Sequence, residues 1–358
     1  MTTHPLRVCL LTGGGDAPGL NAAVRAFVHV ATRRKILVDA SHYGFEGLLG
    51  VDGVAPLRLE DVRGILQRGG SILGCSTRSN PFAEGATPGL EHKVVDRLRE
   101  LGIDALVLAG GDGTMGIARR LHASGIPCVG IPKTIDADLG GTAATIGTDS
   151  AVETVTHALD ALHSTAEAHQ RVMIIEAMGR YAGWIALRAG IAGGADVILI
   201  PEIQYDPRRV AEKIQEREAL GRRFSLVVLG EGARRVGGGE SELEPARDGH
   251  PARLGGAGQR LATELASCGV GHEIRVTVLG HLQRGGSPTA ADRLLATRLG
   301  AHAAGLCAGR RFGRMVCIRD GRVESTTLDE ACAAEARVDP RGELVFCARS
   351  IGIEMGAE

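Results

Sequence analysis

Short apolar runs rich in β-branched residues alternate with helix-length segments along most of this chain, and several of the runs end in glycine. That alternation limits the possible folds more than any single motif does. The runs occupy 7–12, 104–109, 128–132, 171–177, 197–201, 225–230 and 273–280. Helical patterns follow many of them, at 20–34, 116–123, 150–165, 181–192 and 207–220. The runs lack strict polar alternation, as strands buried on both faces do. Repeated strand–helix–strand order predicts an α/β protein with mainly parallel sheets. Ligands bind such sheets beyond the carboxyl ends of the strands, which selects the glycine and acid clusters there as candidates for chemistry.

The length of 358 residues allows two domains. The 52 glycines are twice the usual share of about 7%, and they gather where backbone must turn or approach a ligand. Basic and acidic side chains nearly balance, 41 against 42, which argues against broad electrostatic binding to nucleic acid or an anionic membrane. The absence of an apolar run of about 20 residues predicts no transmembrane helix. Residues 1–7 hold no hydrophobic signal core, so a cytoplasmic protein is expected. The eight cysteines form no C-x-x-C pair and read as thiols in a reducing compartment, not as a disulfide frame or zinc site. The Gly-, Arg- and Glu-rich stretch 232–256 reads as a surface excursion, and 318–327 as a hairpin around Asp320 and Gly321.

Three clusters follow the early strands. Gly13, Gly14 and Gly15 precede Asp16-Ala17-Pro18-Gly19, where backbone amides at a helix start can hold a phosphate. Pro18 excludes a dinucleotide fingerprint, and no G-K-[ST] P-loop is present. Gly110-Gly111-Asp112-Gly113-Thr114 places glycines beside an acid, as suits a meeting of nucleotide phosphate and Mg²⁺. Pro132-Lys133-Thr134-Ile135-Asp136-Ala137-Asp138 supplies a lysine, a hydroxyl and two carboxylates. One acid there can take a proton from an acceptor hydroxyl while the lysine neutralises phosphate charge. Further along, Met178-Gly179-Arg180, with Arg171 at the other end of the same run, Gly230-Glu231-Gly232, and Arg275 with His281 and Arg284 describe a separate polar anion site.

In order, the chain reads GGGDAPGLNAAVR, YGFEGLL, GGSILGCSTRSNPF, GGDGT, PKTIDAD, EAMGRYAG, PE, GEG and LGHLQRGGSP. From residue 7 to about 306 this series resembles the phosphofructokinase family, in particular the ATP-using members of its mixed ATP/pyrophosphate branch. The resemblance implies two Rossmann-like three-layer domains with the active site in the cleft between them. A nucleotide and Mg²⁺ domain would span 1–147 plus about 283–333, and a sugar-phosphate domain 148–282 plus about 334–358. Gly14, Gly15, Phe45, Arg78, Asp112, Gly113 and Thr114 would surround ATP and Mg²⁺, with Asp112 on the metal. Asp136 would be the base for the 1-hydroxyl of fructose 6-phosphate, with Asp138 near the metal or the transferring phosphate. Thr134 and Arg180 would stabilise the γ-phosphoryl, and Met178, Gly179, Glu231, His281 and Arg284 would hold the sugar phosphate. Arg171 and Arg275 would reach that phosphate from a neighbouring subunit of a homo-oligomer, a dimer or tetramer.

The donor question sets two residues against each other. Pyrophosphate-using relatives tend to carry aspartate where Gly113 leaves room for an α-phosphate, which favours ATP. Lys133, by contrast, resembles the pyrophosphate-using branch. Other readings are sedoheptulose 7-phosphate as acceptor and a non-catalytic regulatory paralogue. Ala137 replaces a family asparagine, and Thr148 stands where relatives carry phenylalanine. In the effector site of allosteric relatives Arg25 is retained while His29 replaces an arginine.

Overall fold

The computed structural model describes residues 4–50, 53–77, 80–82, 89–239, 242–244 and 253–357. The chain divides into two compact units, Met1–Ser150 with Arg284–Glu335, and Ala151–Gln283 with Ala336–Glu358. The first opens with β1 (Arg7–Thr12), α1 (Leu20–Arg33), β2 (Leu37–Ser41), α2 (Phe45–Leu49) and β3 (Val54–Pro56). It continues through α3 (Leu90–Glu100), β4 (Ala105–Gly110), α4 (Asp112–Ala123), β5 (Cys128–Thr134) and the two-residue β6 (Ile146–Gly147). Helix α5 (Thr148–His169) carries the chain into the second unit, with β7 (Val172–Ala177), α6 (Trp184–Ala192), β8 (Val197–Leu199) and α7 (Pro207–Ala219). There follow β9 (Ser225–Gly230), β10 (Glu242–Glu244), β11 (Arg253–Leu254), α8 (Ala257–Ser267), β12 (Ile274–Val278) and a 3₁₀ turn (Gly280–Arg284). Helix α9 (Ala290–Ala308), β13 (Arg314–Arg319), β14 (Arg322–Thr327) and α10 (Leu328–Ala331) complete the first unit, and α11 (Glu343–Ser350) belongs to the second.

The first sheet runs β14-β13-β5-β4-β1-β2-β3, with β6 beside β5. It is parallel except at its edges, where β13–β14 and β2–β3 pair antiparallel. Strand alternation feeds two cores. Val8 and Leu10 pack with Leu20, Val24, Phe27 and Leu299 on the α1/α9 face. Cys9 and Leu11 join Val94, Leu98, Met115 and Leu121 on the α3/α4 face. Helices α1 and α9 meet so closely at Gly300 that a Cβ there would lie 2.3 Å from the Ala23 carbonyl oxygen. The second unit's sheet, β12-β7-β9-β8, is all parallel. Val172, Ile174 and Val227 pack there with Val210, Ile214, Leu261 and Leu265 of α7 and α8. Both units are thus sheets covered by helices, as the strand–helix alternation predicts.

The structure corrects several boundaries. Helix α4 starts at Asp112, four residues before the predicted start, because an acid in the first turn complements the helix dipole. Strand β5 runs on to Thr134, carrying Lys133 and Thr134 in its buried end. The predicted pattern omitted β2, α3, α8 and α9. Within 232–256, β10 and β11 pair antiparallel, while 240–241 and 245–252 lie outside the described residues. The 318–327 hairpin is present as β13 and β14. All eight cysteines are unpaired.

Two features fix the stretch after β5. Asp292, fully buried near the start of α9, accepts hydrogen bonds from Gly147 N (2.9 Å), Ser150 N (2.8 Å) and Ser150 Oγ (2.7 Å). It thereby satisfies amides at the start of α5, which have no partner inside their own helix. Ala137 sits at φ +53°, the left-handed region that costs an L-residue about 1–2 kcal/mol. Asparagine tolerates that region better, so the replaced family residue has a backbone explanation. Asp292→Ala is expected to destabilise the protein by about 2–4 kcal/mol in urea unfolding, from lost capping plus stranded donors. Ala137→Gly is expected to raise stability by about 0.5–1 kcal/mol in the same measurement.

Candidate active site

The carboxyl ends of β1, β4 and β5 converge on one polar cleft of the first unit, about 230 Å³ in volume. Gly13, Gly14 and Gly15 form one wall after β1, and Gly111, Gly113 and Thr114 another at the start of α4. The amide of Gly13 donates to Ala109 O (2.9 Å) and that of Gly14 to Ser76 O (3.1 Å), which pins the turn to β4 and to the 71–77 loop. Phe45 and Ile117 supply apolar lining. A Cβ added to Gly113 would meet nothing within 4 Å. Exposed glycine backbone beside a helix N-terminus favours anions.

Lys133 is buried, with its ammonium donating to the Gly13 carbonyl (3.0 Å) and to the Gly15 carbonyl. Burial pulls its pKa down to about 8, and Arg284 pushes the same way. Arg284 also lines the cleft and donates from Nη1 to the Asp16 carbonyl at 3.1 Å. Two cations and the glycine turn therefore line one space.

The acids lie beyond the end of β5. Thr134 Oγ1 donates to Asp138 Oδ1 (3.1 Å) and accepts from the Asp136 amide (3.2 Å). Thr145 and Thr148 both donate from their hydroxyls to the Thr134 carbonyl, at 2.9 and 3.0 Å. The hydroxyl of Thr148 thus braces the loop where a phenylalanine was the family expectation. Asp136 is pushed up to about 6, first by burial and then by Asp138. Its Oδ1 is buried without a hydrogen-bond partner among the described residues. Such an atom is costly to leave unpaired unless a ligand supplies the proton. Burial also raises Asp138, with the Thr134 hydroxyl opposing and the charge of Asp112 adding to the rise. Asp112 rises chiefly through burial, then through Glu335.

The second unit gathers a different set. At the carboxyl end of β7, Met178 N donates to Gln283 Oε1 (3.2 Å). The amide of Glu231, just past β9, donates to Ala177 O (2.8 Å), and that of Gly232 to Gly179 O (3.2 Å). A Cβ on Gly232 would lie 2.0 Å from the Arg180 carbonyl oxygen, so glycine is required for this approach. Met178, Gly179, Arg180 and Glu231 thus share one strand-end cluster, and exposed His281 lies on the 3₁₀ turn two residues from Gln283. Arg171 and Arg275 do not join them. Arg171 precedes β7 and Arg275 is the second residue of β12, so both lie toward the opposite end of the sheet, Arg171 about 20 Å away along the six residues of β7.

Of the residues singled out from the sequence, Gly14, Gly15, Phe45, Gly113, Thr114, Lys133, Thr134 and Arg284 line the one cleft. Arg78 lies outside the described residues. Sequence reasoning passed over Ser76, Asn80 and Ile117 in the cleft wall, and Gln283, Thr145 and Asp292 behind it. The clue for Gln283 was its place inside HLQRGG. Nothing in the sequence pointed to Asp292. Among the described residues no group of three or more His, Cys, Asp or Glu side chains is arranged to hold a metal, and no helix is long and apolar enough to cross a membrane.

A family model described as phosphofructokinase matches residues 7–307. An ATP-dependent 6-phosphofructokinase of Chloroflexus aggregans is 47% identical over 363 residues, covering 100% of both chains. A pyrophosphate–fructose 6-phosphate 1-phosphotransferase of Amycolatopsis mediterranei is 46% identical over 337 residues, 92% of this chain and 95% of the relative. Among solved structures, the phosphofructokinase of Saccharomyces cerevisiae superposes with a TM-score of 0.77 at 32% identity, over 92% of this chain and 45% of that one. The glycine turn after β1, the GGDGT start of α4 and the paired acids after β5 are the local form of a relationship that spans the chain, which belongs to the phosphofructokinase family.

Proposed function

We propose that this chain is an ATP-dependent 6-phosphofructokinase, transferring the γ-phosphoryl of ATP to the 1-hydroxyl of fructose 6-phosphate to give fructose 1,6-bisphosphate and ADP in glycolysis. The observation that carries the reading is the Oδ1 of Asp136, buried and without a hydrogen-bond partner among the described residues, on the loop that follows Lys133 and Thr134 of the glycine-lined cleft. Full-length likeness to enzymes named for this reaction supports it.

In this reading ATP lies against the glycine turn and the start of α4, with Phe45 as an apolar wall. Asp136 accepts the proton of the 1-hydroxyl as its oxygen bonds to the γ-phosphorus and ADP leaves. Its depressed acidity suits a base that operates near neutral pH. Thr134 and Arg180 stabilise charge on the equatorial oxygens. In the second unit Met178, Gly179, Glu231 and His281, together with Arg284, hold fructose 6-phosphate. Arg171 and Arg275, at the far ends of their strands, serve the sugar phosphate of another copy in a homo-oligomer.

Asp112 and Asp138 offer hard oxygen donors, and burial raises the pKa of each, with Glu335 adding to the rise at Asp112 and the charge of Asp112 adding to it at Asp138. Mg²⁺ commonly takes one or two carboxylates and completes its shell with phosphate and water, so this pair fits it. Asp112 and Asp138 would hold the ion, which would supply positive charge against the donor phosphates.

For the donor, the open space at Gly113 favours ATP. Lys133 favours pyrophosphate as the second reading, and relatives 46% identical carry that name. Two of its N–H groups, however, are spent on the Gly13 and Gly15 carbonyls, which leaves a weaker claim on a donor phosphate.

Asp136→Asn should lower kcat at least ~100-fold while fructose 6-phosphate still binds in calorimetry. The base must be ionised, so wild-type kcat should fall as pH drops through about 6, and the variant's residual rate should lack that limb. Gly113→Asp should cut ATP turnover and shift preference toward pyrophosphate. Initial rates with each donor, following fructose 1,6-bisphosphate directly, check this, and unchanged donor preference would refute the steric argument.

A further inference from the structure

The two arginines at the amino ends of β7 and β12 are bound to the same carboxylate. Glu273 Oε2 accepts from Arg171 Nε, and Glu273 Oε1 accepts from Arg275 Nη2. Register explains how they meet. Val172 pairs with Ile274, so the next position out sets Arg171 opposite Glu273. Residues two apart on a strand share a face, which brings Arg275 to the same side. The strand edge beneath is fixed by Val172 N donating to Glu273 O (3.0 Å) and Ser225 N to Arg171 O (3.2 Å).

Arg275 and Glu273 are exposed, at 60% and 45% side-chain accessibility, and Arg171 is half-buried at 26%. Exposed ion pairs add only about 0–1 kcal/mol to stability, so this one is poorly explained as a fold-stabilising device. Each arginine spends a single side-chain nitrogen on Glu273, and the other nitrogens of both find no acceptor among the described residues. Two unbridged guanidinium groups at this spacing would repel and splay. Bridged, they present paired donors and a net charge of +1, a match for a phosphate dianion.

The geometry points to Glu273 as a positioning residue. It holds Arg171 and Arg275 together on one carboxylate so that both engage the phosphate of fructose 6-phosphate in a neighbouring copy's site. This rests on the proposed function, because the phosphate in question is that substrate's.

Steady-state kinetics of the full-length protein with fructose 6-phosphate, Mg²⁺ and ATP test it. Glu273→Ala should raise the KM for fructose 6-phosphate about 10-fold, as loss of a preset geometry does. The kcat should stay within about threefold, with the KM for ATP and the thermal midpoint unchanged. In an Arg171→Ala/Arg275→Ala background the same change should have no further effect, since Glu273 acts only through those two side chains. An equal KM shift in both backgrounds would overturn the proposal. So would an unchanged KM, or a lowered one, which would make Glu273 a competitor for the arginines. A wild type that fails to phosphorylate fructose 6-phosphate would remove the proposed function and this inference together, whereas an active wild type indifferent to Glu273→Ala removes this inference alone.

Discussion

A buried ammonium must be surrounded by acceptors, and in this protein that requirement shapes the candidate cleft. Lys133 enters from the end of β5, and the acceptors it finds are the carbonyls of Gly13 and Gly15. With those carbonyls turned toward the lysine, the Gly13 and Gly14 amides donate to Ala109 O and Ser76 O, and the turn is held from both sides. The same strand end carries Thr134, whose carbonyl is claimed by two threonine hydroxyls and whose own hydroxyl organises both acids. Moving Lys133 would disturb the glycine turn and the acid-bearing loop together, because one strand terminus anchors both.

Such coupling is partly visible in a sequence and partly hidden. Strands β1 and β9 occupy the predicted 7–12 and 225–230, since short apolar blocks closed by glycine have one sensible extent. Strand β2 was hidden by Asp39, which reads as a surface charge. In the fold Asp39 is buried and takes Arg7 Nε at 2.6 Å, and an ion pair 32 residues apart leaves no local signature. The acid of GGDGT was legible as chemistry but not as the opening turn of α4, because glycine on both sides obscures a helix start.

The candidate site residues divide along the same line. Their types could be read from motif order, and the cleft gathers most of the residues expected around a nucleotide. The partners that hold them could not, because they are remote in sequence. Asp292 reaches Gly147 across 145 residues, and Gln283 reaches Met178 across 105. Ala137 shows the limit most plainly. From the sequence it looks like a missing amide group, whereas the structure shows a backbone constraint that any L-residue at that point must meet.

The order of segments within the two units has a consequence for biosynthesis. The strands β7, β8, β9 and β12 all lie within 151–283, so the second sheet can pair as soon as that stretch leaves the ribosome. The first sheet cannot close its far side so early, since β13, β14 and the helix packed against α1 arrive only with 284–335. At about 5–20 residues per second, the nascent first unit waits roughly 10–40 s between its residue 150 and its completion. Over that interval the stretch of β5 around Val129 and Gly130 lacks its β13 partner and the apolar face of α1 lacks its cover, surfaces of the kind that chaperones shield during synthesis.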